Sequence, residues 1–326
     1  MTHYLVTGGT GFRGAALVTR LTRDGHRVRV LDNNWRGPAR RLEAVAQDVE
    51  TVVADIRDAA EVRCAARGID CAVHLAAVQG TETFYRQPEL VLDVGVRGIL
   101  NLIDACRAEA IGDLVVVSSS EAYQTPPAVP TDETVPLCIP DLLNPRYSYA
   151  GSKILTELVA VNYGRTGFRR VAVVRPHNVY GPDMGWQHVI PQLAVRAAEL
   201  AAAQPTGRLR LPIQGDGRQR RAFVHIDDFT EGMVRVLEAG EHLGVYHVGT
   251  MEEVSIADLA GKVAAALGRS AEIVAGPAPP GATHRRCPDI ARMRALGYAP
   301  RIPLDDGLPG VVRWYADNRH LRPAAA

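Results

Sequence analysis

The chain has 326 residues, of which 47% are hydrophobic and 22% are charged, a composition typical of a globular protein with one large domain or two domains that share a core. A formal net charge of +1 offers no global field to nucleic acid or to an anionic membrane, and the apolar stretches are too short to span a bilayer. The first strand-like segment follows Met1 closely, and the five cysteines are scattered without a Cys-x-x-Cys pair. We therefore expect no signal peptide, no metal or disulfide framework, and a cytoplasmic protein.

Short β-branched segments alternate with helix-like segments through the first half of the chain. Strands are predicted at 4–6, 28–31, 51–53, 71–75, 114–117 and 171–174, and a helix is predicted over 12–23. Continuous apolar strands separated by helices indicate a parallel sheet that is covered on both faces. After about Pro176 prolines and glycines become more frequent, which indicates a smaller second domain.

The first predicted strand leads into a glycine-rich loop. Gly8, Gly11 and Gly14 are spaced so that the first makes a tight turn, the second lets the backbone approach a pyrophosphate, and the third packs the helix on the strand. Asp32 closes the second strand, where a carboxylate binds both hydroxyls of an adenosine ribose and repels a 2′-phosphate. The pattern therefore favours NAD over NADP.

Two further groups follow this loop. Three arginines follow Asp32 closely and are candidates to soften the preference for NAD, although a solvated helix face is the favoured interpretation: Arg36, Arg40 and Arg41. Asp55 and Ile56 come directly after the third strand and are candidates for the adenine edge, although an aspartate at a strand end is also typical of loop capping.

Tyr149 and Lys153 lie four residues apart in a helix-compatible segment, so both side chains are predicted on one helix face. A free tyrosine has a pKa near 10 and is a poor base at neutral pH, but a neighbouring ammonium favours the phenolate. Ser119 follows the strand at 114–117 and is expected at the ligand-binding edge of the sheet, where it can hydrogen-bond the same substrate oxygen. A strand-end turn is the alternative explanation for the serines at 118–120.

The order of these motifs resembles the extended short-chain dehydrogenases/reductases, in the nucleotide-sugar epimerase/dehydratase group. The similar segments are TGGTGFRG (7–14), HLAA (74–77), SSSEAY (118–123), YAGSK (149–153), RPHNVYGP (175–182) and GDG (215–217), with Arg221, Asp227 and Asp228. The resemblance covers nearly the whole chain, to Arg286 and Asp289.

This resemblance implies an α/β fold with two parts. A Rossmann doubly wound parallel sheet, expected at 1–175 with part of 220–250 returning to it, binds NAD. A smaller C-terminal α/β substrate-binding lobe, expected mainly at 176–326, grips a nucleotide-diphosphate sugar. The resemblance also implies an NAD that is held tightly and reoxidised within one turnover, and a homodimer built from two helices of each subunit.

Combined with the patterns above, the resemblance assigns roles to individual residues. The catalytic residues are Ser119, Tyr149 and Lys153, with Glu121 as a further base where the reaction needs one. The cofactor-binding residues are Gly8, Gly11, Phe12, Arg13, Gly14, Asp32, Asn33, Asp55, Ile56, Leu75, Ala76, Ala77, Tyr149, Lys153 and Pro176. The substrate-binding residues are Ser120, Asn178, Arg221 and Arg286, and no residue is assigned to a metal.

The candidate reactions all begin with oxidation of a sugar hydroxyl at C4 by Tyr149. Return of hydride to the other face gives a 4-epimerase, the favoured prediction. Removal of the C5 proton by Glu121 gives a 4,6-dehydratase, and loss of carbon dioxide from a C6 carboxylate gives a UDP-glucuronate-type decarboxylase, which resembles this chain at Glu121 and Arg286. A reductase that releases its cofactor and a non-catalytic NAD-binding regulator are the remaining alternatives.

The chain departs from the family pattern at four places. Gly95 stands where most relatives have an asparagine, and Gln124 stands where a glycine is usual. The segment 138–143 resembles a short insertion that we expect near the sugar pocket, and the segment 80–85 differs from the usual one after 74–77. These departures leave the identity of the sugar open.

Overall fold

The computed structural model describes residues 1–277 and 283–323, and strands and helices alternate along them. The strands are β1 (His3–Thr7), β2 (Arg27–Asp32), β3 (Val49–Val53), β4 (Cys71–His74), β5 (Asp113–Val117), β6 (Arg170–Pro176), β7 (Val179–Tyr180), β8 (Leu209–Pro212), β9 (Arg220–Ala222), β10 (Val224–His225), β11 (Gly244–Val248), β12 (Glu253–Ser255), β13 (Ala271–Val274) and β14 (Arg285–Arg286). The α-helices are α1 (Phe12–Arg23), α2 (Ala59–Ala66), α3 (Thr81–Arg86), α4 (Pro88–Ala108), α5 (Ser148–Gly164), α6 (Val189–Ala203), α7 (Ile226–Ala239), α8 (Ile256–Ala266), α9 (Ala291–Ala295) and α10 (Leu304–Asp317).

Seven strands form one parallel sheet in the order β11-β6-β5-β4-β1-β2-β3. From β3 inward, this is the strand order 3-2-1-4-5-6 of the Rossmann fold, with β11 added beside β6. The predicted doubly wound parallel sheet is therefore confirmed, and each of the six predicted strands falls on a strand of this sheet. The division of the chain into domains at residue 175 stays a prediction.

Three apolar cores hold these elements together. One core lies between α1, α7 and one face of the sheet, and a second lies between α2, α4, α5 and the other face. A third core joins α6, α8 and α10 in the C-terminal half of the chain. None of the helices that the structure describes combines the length and the apolar character that a bilayer crossing requires.

The contact between α4 and α5 explains the departure at Gly95. A Cβ atom at Gly95 would lie 2.6 Å from the Cβ of Ser152 on α5, well inside van der Waals contact. The two helices therefore approach so closely that no side chain fits at this position. The hydrogen-bonding role of the usual asparagine is absent from residue 95 because the space it would occupy is filled by Ser152.

Candidate active site

A cleft of about 510 Å³ opens at the carboxyl ends of the strands of the central sheet, which is the edge where such sheets bind ligands. Most of the residues predicted for the site line it: Gly8, Gly11, Phe12, Arg13, Gly14, Asp32, Asn33, Asp55, Ile56, Leu75, Ala76, Ala77, Ser119, Ser120, Glu121, Tyr149, Pro176, Asn178 and Arg286. Lys153 and Arg221 are the two predicted residues outside this lining. Residues as far apart in the chain as Gly8 and Arg286 are thus brought to one cleft.

The glycine loop presents backbone to the cleft. Gly8 has a φ of +73°, and a Cβ there would lie 2.7 Å from the backbone nitrogen of Ala76. A Cβ at Gly14 would lie 2.1 Å from the carbonyl oxygen of Gly8, so the third glycine allows α1 to pack against the loop. A Cβ at Gly11 would meet only that same oxygen, at 3.1 Å, because Gly11 faces the open cleft at the start of α1. Such a cradle at a helix N-terminus suits a pyrophosphate.

The carboxylate of Asp32 shapes the loop that follows β2. Its two oxygens accept hydrogen bonds from the backbone nitrogens of Thr10, at 3.0 Å, and Asn34, at 2.8 Å. Asp32 nevertheless lines the cleft, so one side chain orders the loop and faces the ligand space.

Asp55 is tied to a neighbouring arginine. Its oxygens accept hydrogen bonds from the backbone and guanidinium of Arg57 and from the amide of Asn33, at 3.1 Å. The hydrogen bonds from Arg57 lower the pKa of Asp55 to about 2. The loop-capping role of Asp55 is thus present, and the carboxylate stays charged at the cleft.

The interpretation of Arg36, Arg40 and Arg41 as a solvated helix face is wrong. Arg40 and Arg41 belong to a 3₁₀ helix and form ion pairs with Asp183, at 2.9 and 3.0 Å, and the side chain of Arg41 is only 12% exposed. Arg36 instead lines the cleft, where burial and then Arg41 lower its pKa. The pattern misled because the partner, Asp183, lies about 140 residues away in the chain.

Tyr149 and Lys153 lie on α5 and are both almost fully buried. The phenol oxygen of Tyr149 accepts a hydrogen bond from Nε2 of Gln79 at 2.9 Å, and the ring of Phe84 stacks on the tyrosine ring with centroids 5.0 Å apart. The ammonium of Lys153 donates to the carbonyl oxygen of Val117 at 2.8 Å and lies 5.9 Å from the centre of the Tyr149 ring. Lys153 therefore influences Tyr149 through its charge and not through a direct hydrogen bond.

The charge of Lys153 is itself sensitive to pH. Burial, and then the nearby Arg13, lowers the pKa of Lys153 to about 7. The ammonium and the neutral amine are thus both populated near neutral pH.

The serines after β5 begin a turn and also face the cleft. Oγ of Ser119 accepts a hydrogen bond from the backbone nitrogen of Glu121 at 3.2 Å, which caps the 3₁₀ turn Ser120–Tyr123. Oε1 of Glu121 lies 2.5 Å from Nη1 of Arg286. Burial opposes the ionisation of Glu121, but Arg286, with Arg146 and Arg221, holds the pKa of Glu121 below its ordinary range.

Arg221 and Asn178 are held by backbone carbonyls. Arg221 donates to the carbonyl oxygens of Arg220 at 2.8 Å and of Thr283 at 2.6 Å, and burial, followed by Arg286, lowers its pKa to about 10. The amide of Asn178 donates to the carbonyl of Ala222 at 3.0 Å. Arg221 lies close enough to Glu121 and Arg286 to contribute positive potential to the cleft without lining it.

Two of the departures acquire a structural account here. Gln124 has a φ of +53°, a left-handed conformation that favours the usual glycine, and its side chain donates to the carbonyl of Glu121 at 2.6 Å. In the segment 138–143, the backbone of Cys138 bonds the carbonyl of Ala122, whereas Leu142 and Leu143 are almost fully exposed. None of that segment lines the cleft, and its expected place near the sugar pocket stays a prediction.

Sequence reasoning missed several residues of the site. Gln79, Phe84 and His188 line the cleft, and Arg146 contributes to its positive potential. Burial, followed by Arg36 and Arg13, lowers the pKa of His188 to about 4, so the imidazole is neutral at pH 7. These residues lie in loops and short helices outside the recognised motifs, and only the departure at 80–85 gave a signal.

Comparison with known proteins places this architecture in a family. The model of the NAD dependent epimerase/dehydratase family matches residues 4–249. A dTDP-4-dehydro-6-deoxy-D-allose reductase from a Streptomyces species is 35% identical, with 95% of each chain covered, and a UDP-glucose 4-epimerase from Mycolicibacterium smegmatis is 32% identical, with 96% of this chain and 98% of the relative covered. The crystal structure of the dTDP-glucose 4,6-dehydratase DesIV from Streptomyces venezuelae, with NAD and TYD bound, has a TM-score of 0.85, 31% identity and 98% coverage of both chains.

The chain belongs to the NAD dependent epimerase/dehydratase family. The predicted extended short-chain dehydrogenase/reductase class and the predicted NAD cofactor are both confirmed. The glycine cradle, the carboxylate of Asp32 and the buried Tyr149 and Lys153 of this chain fit that cofactor and its chemistry.

Proposed function

We propose that this protein is a nucleotide-diphosphate-sugar 4-epimerase. The observation that carries the proposal is that Ser119 and Tyr149 line the same cleft as the glycine loop, while Glu121 is engaged by Arg286. The residues needed for proton transfer at one sugar hydroxyl are therefore available, and the additional carboxylate that other reactions of the family need is not free.

The residues divide the work as follows. The loop from Gly8 to Gly14 holds the pyrophosphate of NAD and Asp32 its adenosine ribose, with Ile56 at the adenine. NAD held there would supply the hydride acceptor for C4 of the sugar and the hydride donor to the opposite face of the 4-keto sugar. Tyr149 removes the proton of the C4 hydroxyl and gives it back, and Ser119 donates a hydrogen bond to the same oxygen.

The state of Glu121 favours epimerisation over dehydration. A 4,6-dehydratase needs a base for the C5 proton and an acid for the leaving C6 hydroxyl. Glu121 is ionised and lies 2.5 Å from Arg286, and its neighbour Ser120 is not an acid of useful strength. Before Glu121 could remove the C5 proton, its charge-assisted hydrogen bond with Arg286 would have to break.

A 4-ketoreductase is the second candidate, because two dTDP-4-dehydro-6-deoxy-D-allose reductases, 35% and 34% identical, match at least 95% of this chain. A reductase would use the same Tyr149 and Ser119, with Tyr149 protonating the C4 oxygen. It differs in consuming one reduced cofactor per turnover.

The proposals for the substrate and for the assembly rest on two different surfaces. Asn178 and Arg286 line the cleft and are the proposed contacts of the nucleoside diphosphate, which suits an arginine fork, while Arg221 adds positive potential from behind the lining. We also infer a homodimer through α4 and α5, because these helices expose Leu92, Leu155 and Leu158 by 39%, 40% and 53%.

The test is mass spectrometry of the products after the purified protein has been incubated with UDP-, dTDP-, GDP- and CDP-hexoses in heavy water. An isomer of unchanged mass, formed without added cofactor and without deuterium at C5, supports the epimerase. Stoichiometric NADH consumption with a 4-keto sugar supports the reductase instead. Loss of water would identify a 4,6-dehydratase and contradict the epimerase, and loss of carbon dioxide from a UDP-uronic acid added to the panel would identify a decarboxylase.

A further inference from the structure

The segment between β4 and α4 covers the phenol of Tyr149. Gln79 directs Nε2 to the phenol oxygen at 2.9 Å, and Phe84, on α3, stacks on the ring at an interplanar angle of 9°. Neither residue belongs to a motif of the family, and residues 80–85 depart from the usual sequence. We propose that Gln79 is a positioning residue for Tyr149, whose amide N–H holds the phenol oxygen in place and stabilises its phenolate.

The direction of this hydrogen bond suits a base. An amide N–H donates to a phenolate, whose oxygen has lost its own proton and only accepts. Among the residues that the structure describes, Gln79 is the one side chain that hydrogen-bonds the phenol oxygen, since Lys153 donates to Val117 instead. The ammonium of Lys153 is also partly neutralised near pH 7, so its charge alone is a weak support for the phenolate.

The surroundings strengthen this contact. Tyr149 is 4% exposed and packs with Val78, Val91 and Phe84 in a small apolar cluster. The hydrogen bond is partly buried, and such a bond is electrostatically stronger than a fully exposed one. The cluster also fixes the plane of the ring, so the phenol oxygen stays where Gln79 reaches it.

The residue after Gln79 has a backbone conformation that favours glycine. Gly80 has a φ of +120°, and a Cβ there would lie 2.6 Å from Oε1 of Gln187 and 2.9 Å from Nη1 of Arg36. The φ of +120° strains any side chain other than that of glycine, whereas Gln187 and Arg36 are flexible enough to move aside. The turn at Gly80 therefore keeps Gln79 over the phenol while α3 begins directly after it.

The inference rests on the proposed base role of Tyr149, and its test does not need the sugar. The measurement is the phenolate absorbance of the NAD-loaded protein as pH rises, for wild type and Gln79→Leu, each with the signal of its own Tyr149→Phe version subtracted. The subtraction leaves the single step that belongs to Tyr149. We expect Gln79→Leu to move this step to higher pH by about one unit, a tenfold lower phenolate fraction at a fixed pH on the acidic side.

Two further variants make the result specific. Gln87→Leu, which removes an amide from the exposed end of the same segment, should leave the step unmoved. Gln79→Glu keeps the size of the side chain but cannot donate when ionised, so it should move the step upward as well, and it replaces Gln79→Leu if that variant does not fold.

The outcomes separate this inference from the proposed function. An unmoved step in the Gln79 variants would overturn the positioning role, whatever the enzyme does to sugars. A moved step together with no epimerisation or reduction of any nucleotide sugar would leave Gln79 in its role and remove the proposed reaction. With an active substrate, the acidic limb of the pH profile of kcat/KM should move by the same amount as the absorbance step.

Discussion

Tyr149 is the residue on which the proposed chemistry depends most directly. We predict that Tyr149→Phe lowers kcat about 100-fold or more, because the acid–base group is lost while the ring and its stack on Phe84 remain. NAD should stay bound, measured as nucleotide released on denaturation. Tyr163→Phe, at the exposed end of the same helix, is the matched control and should retain full activity. Substantial turnover by Tyr149→Phe would remove Tyr149 from the base role.

The buried ammonium of Lys153 is expected to lower the free energy of unfolding. Its folded pKa of about 7 lies below the unfolded value near 10.4, so the unfolded chain binds more protons between these values and stability rises with pH across that range. Lys153→Met should therefore stabilise the NAD-free protein by about 1–4 kcal/mol at pH 7 and below. The gain should shrink toward pH 10, as measured by urea unfolding. A gain that is equal at both pH values would contradict the burial of the charge.

Glu121 separates the candidate reactions. Glu121→Gln should leave epimerisation or C4 reduction within about fivefold of wild type, because neither reaction uses the carboxylate as a base. A loss comparable to that of Tyr149→Phe would assign Glu121 to the chemistry, if melting curves show that the protein is folded.

The same substitution has a pH-dependent effect on stability. The folded pKa of Glu121 is lowered, so its ion pair with Arg286 stabilises the protein fully above the unfolded pKa and is lost as pH falls through the folded one. The difference in unfolding free energy between wild type and Glu121→Gln should therefore be present at pH 7 and decline in acid.

Sequence reasoning could find Tyr149 and Lys153 because a spacing of four residues on a helix is a local property. It could not find Gln79, which meets Tyr149 across 70 positions of the chain from a segment without periodicity. The environment of Glu121 was hidden for the same reason, since Arg286 lies 165 positions away. Roles could therefore be assigned to single residues only where a motif marked them. Contacts between segments that are distant in the chain could not be predicted.

At the scale of elements, the close packing of α4 on α5 predicts that a side chain at Gly95 destabilises the protein. Gly95→Ala should destabilise the protein by about 1–3 kcal/mol, although alanine favours helix, because the new Cβ would meet that of Ser152 at 2.6 Å. Gly261→Ala in α8 is the matched control, since nothing lies within 4 Å of its Cβ position, and it should stabilise by about 0.5–1 kcal/mol. Differential scanning calorimetry compares the two; equal effects would contradict the close helix contact.

Strands and helices could be predicted where the local sequence alone determines the secondary structure. The apolar strands β1 to β6 and the helix α1 follow from hydrophobic runs and from a glycine at the helix start. The short strands β7, β9, β10, β12 and β14 have two or three residues each and exist only because a partner strand lies beside them. Such pairs carry too little local signal to be read from the sequence.

At the scale of the whole molecule, the exposed leucines of α4 and α5 predict an assembly. Leu158→Glu, together with Leu155→Glu, should convert the proposed dimer into a monomer in analytical ultracentrifugation, because two charges would be buried without partners. Leu142→Glu, in an exposed loop, should leave the assembly unchanged. A wild-type protein that sediments as a monomer would exclude the dimer directly.

The central sheet is completed by a strand that comes late in the chain. β6 ends at Pro176, and β11, which pairs with it along its length, begins about 70 residues later at Gly244. Ribosomes add roughly 5–20 residues per second, so the outer edge of β6 stays unpaired for several seconds while the nascent chain grows. An unpaired hydrophobic strand edge is a site for aggregation and for chaperone binding. The yield of this protein in cells should therefore depend on how quickly the ribosome passes through the residues between β6 and β11.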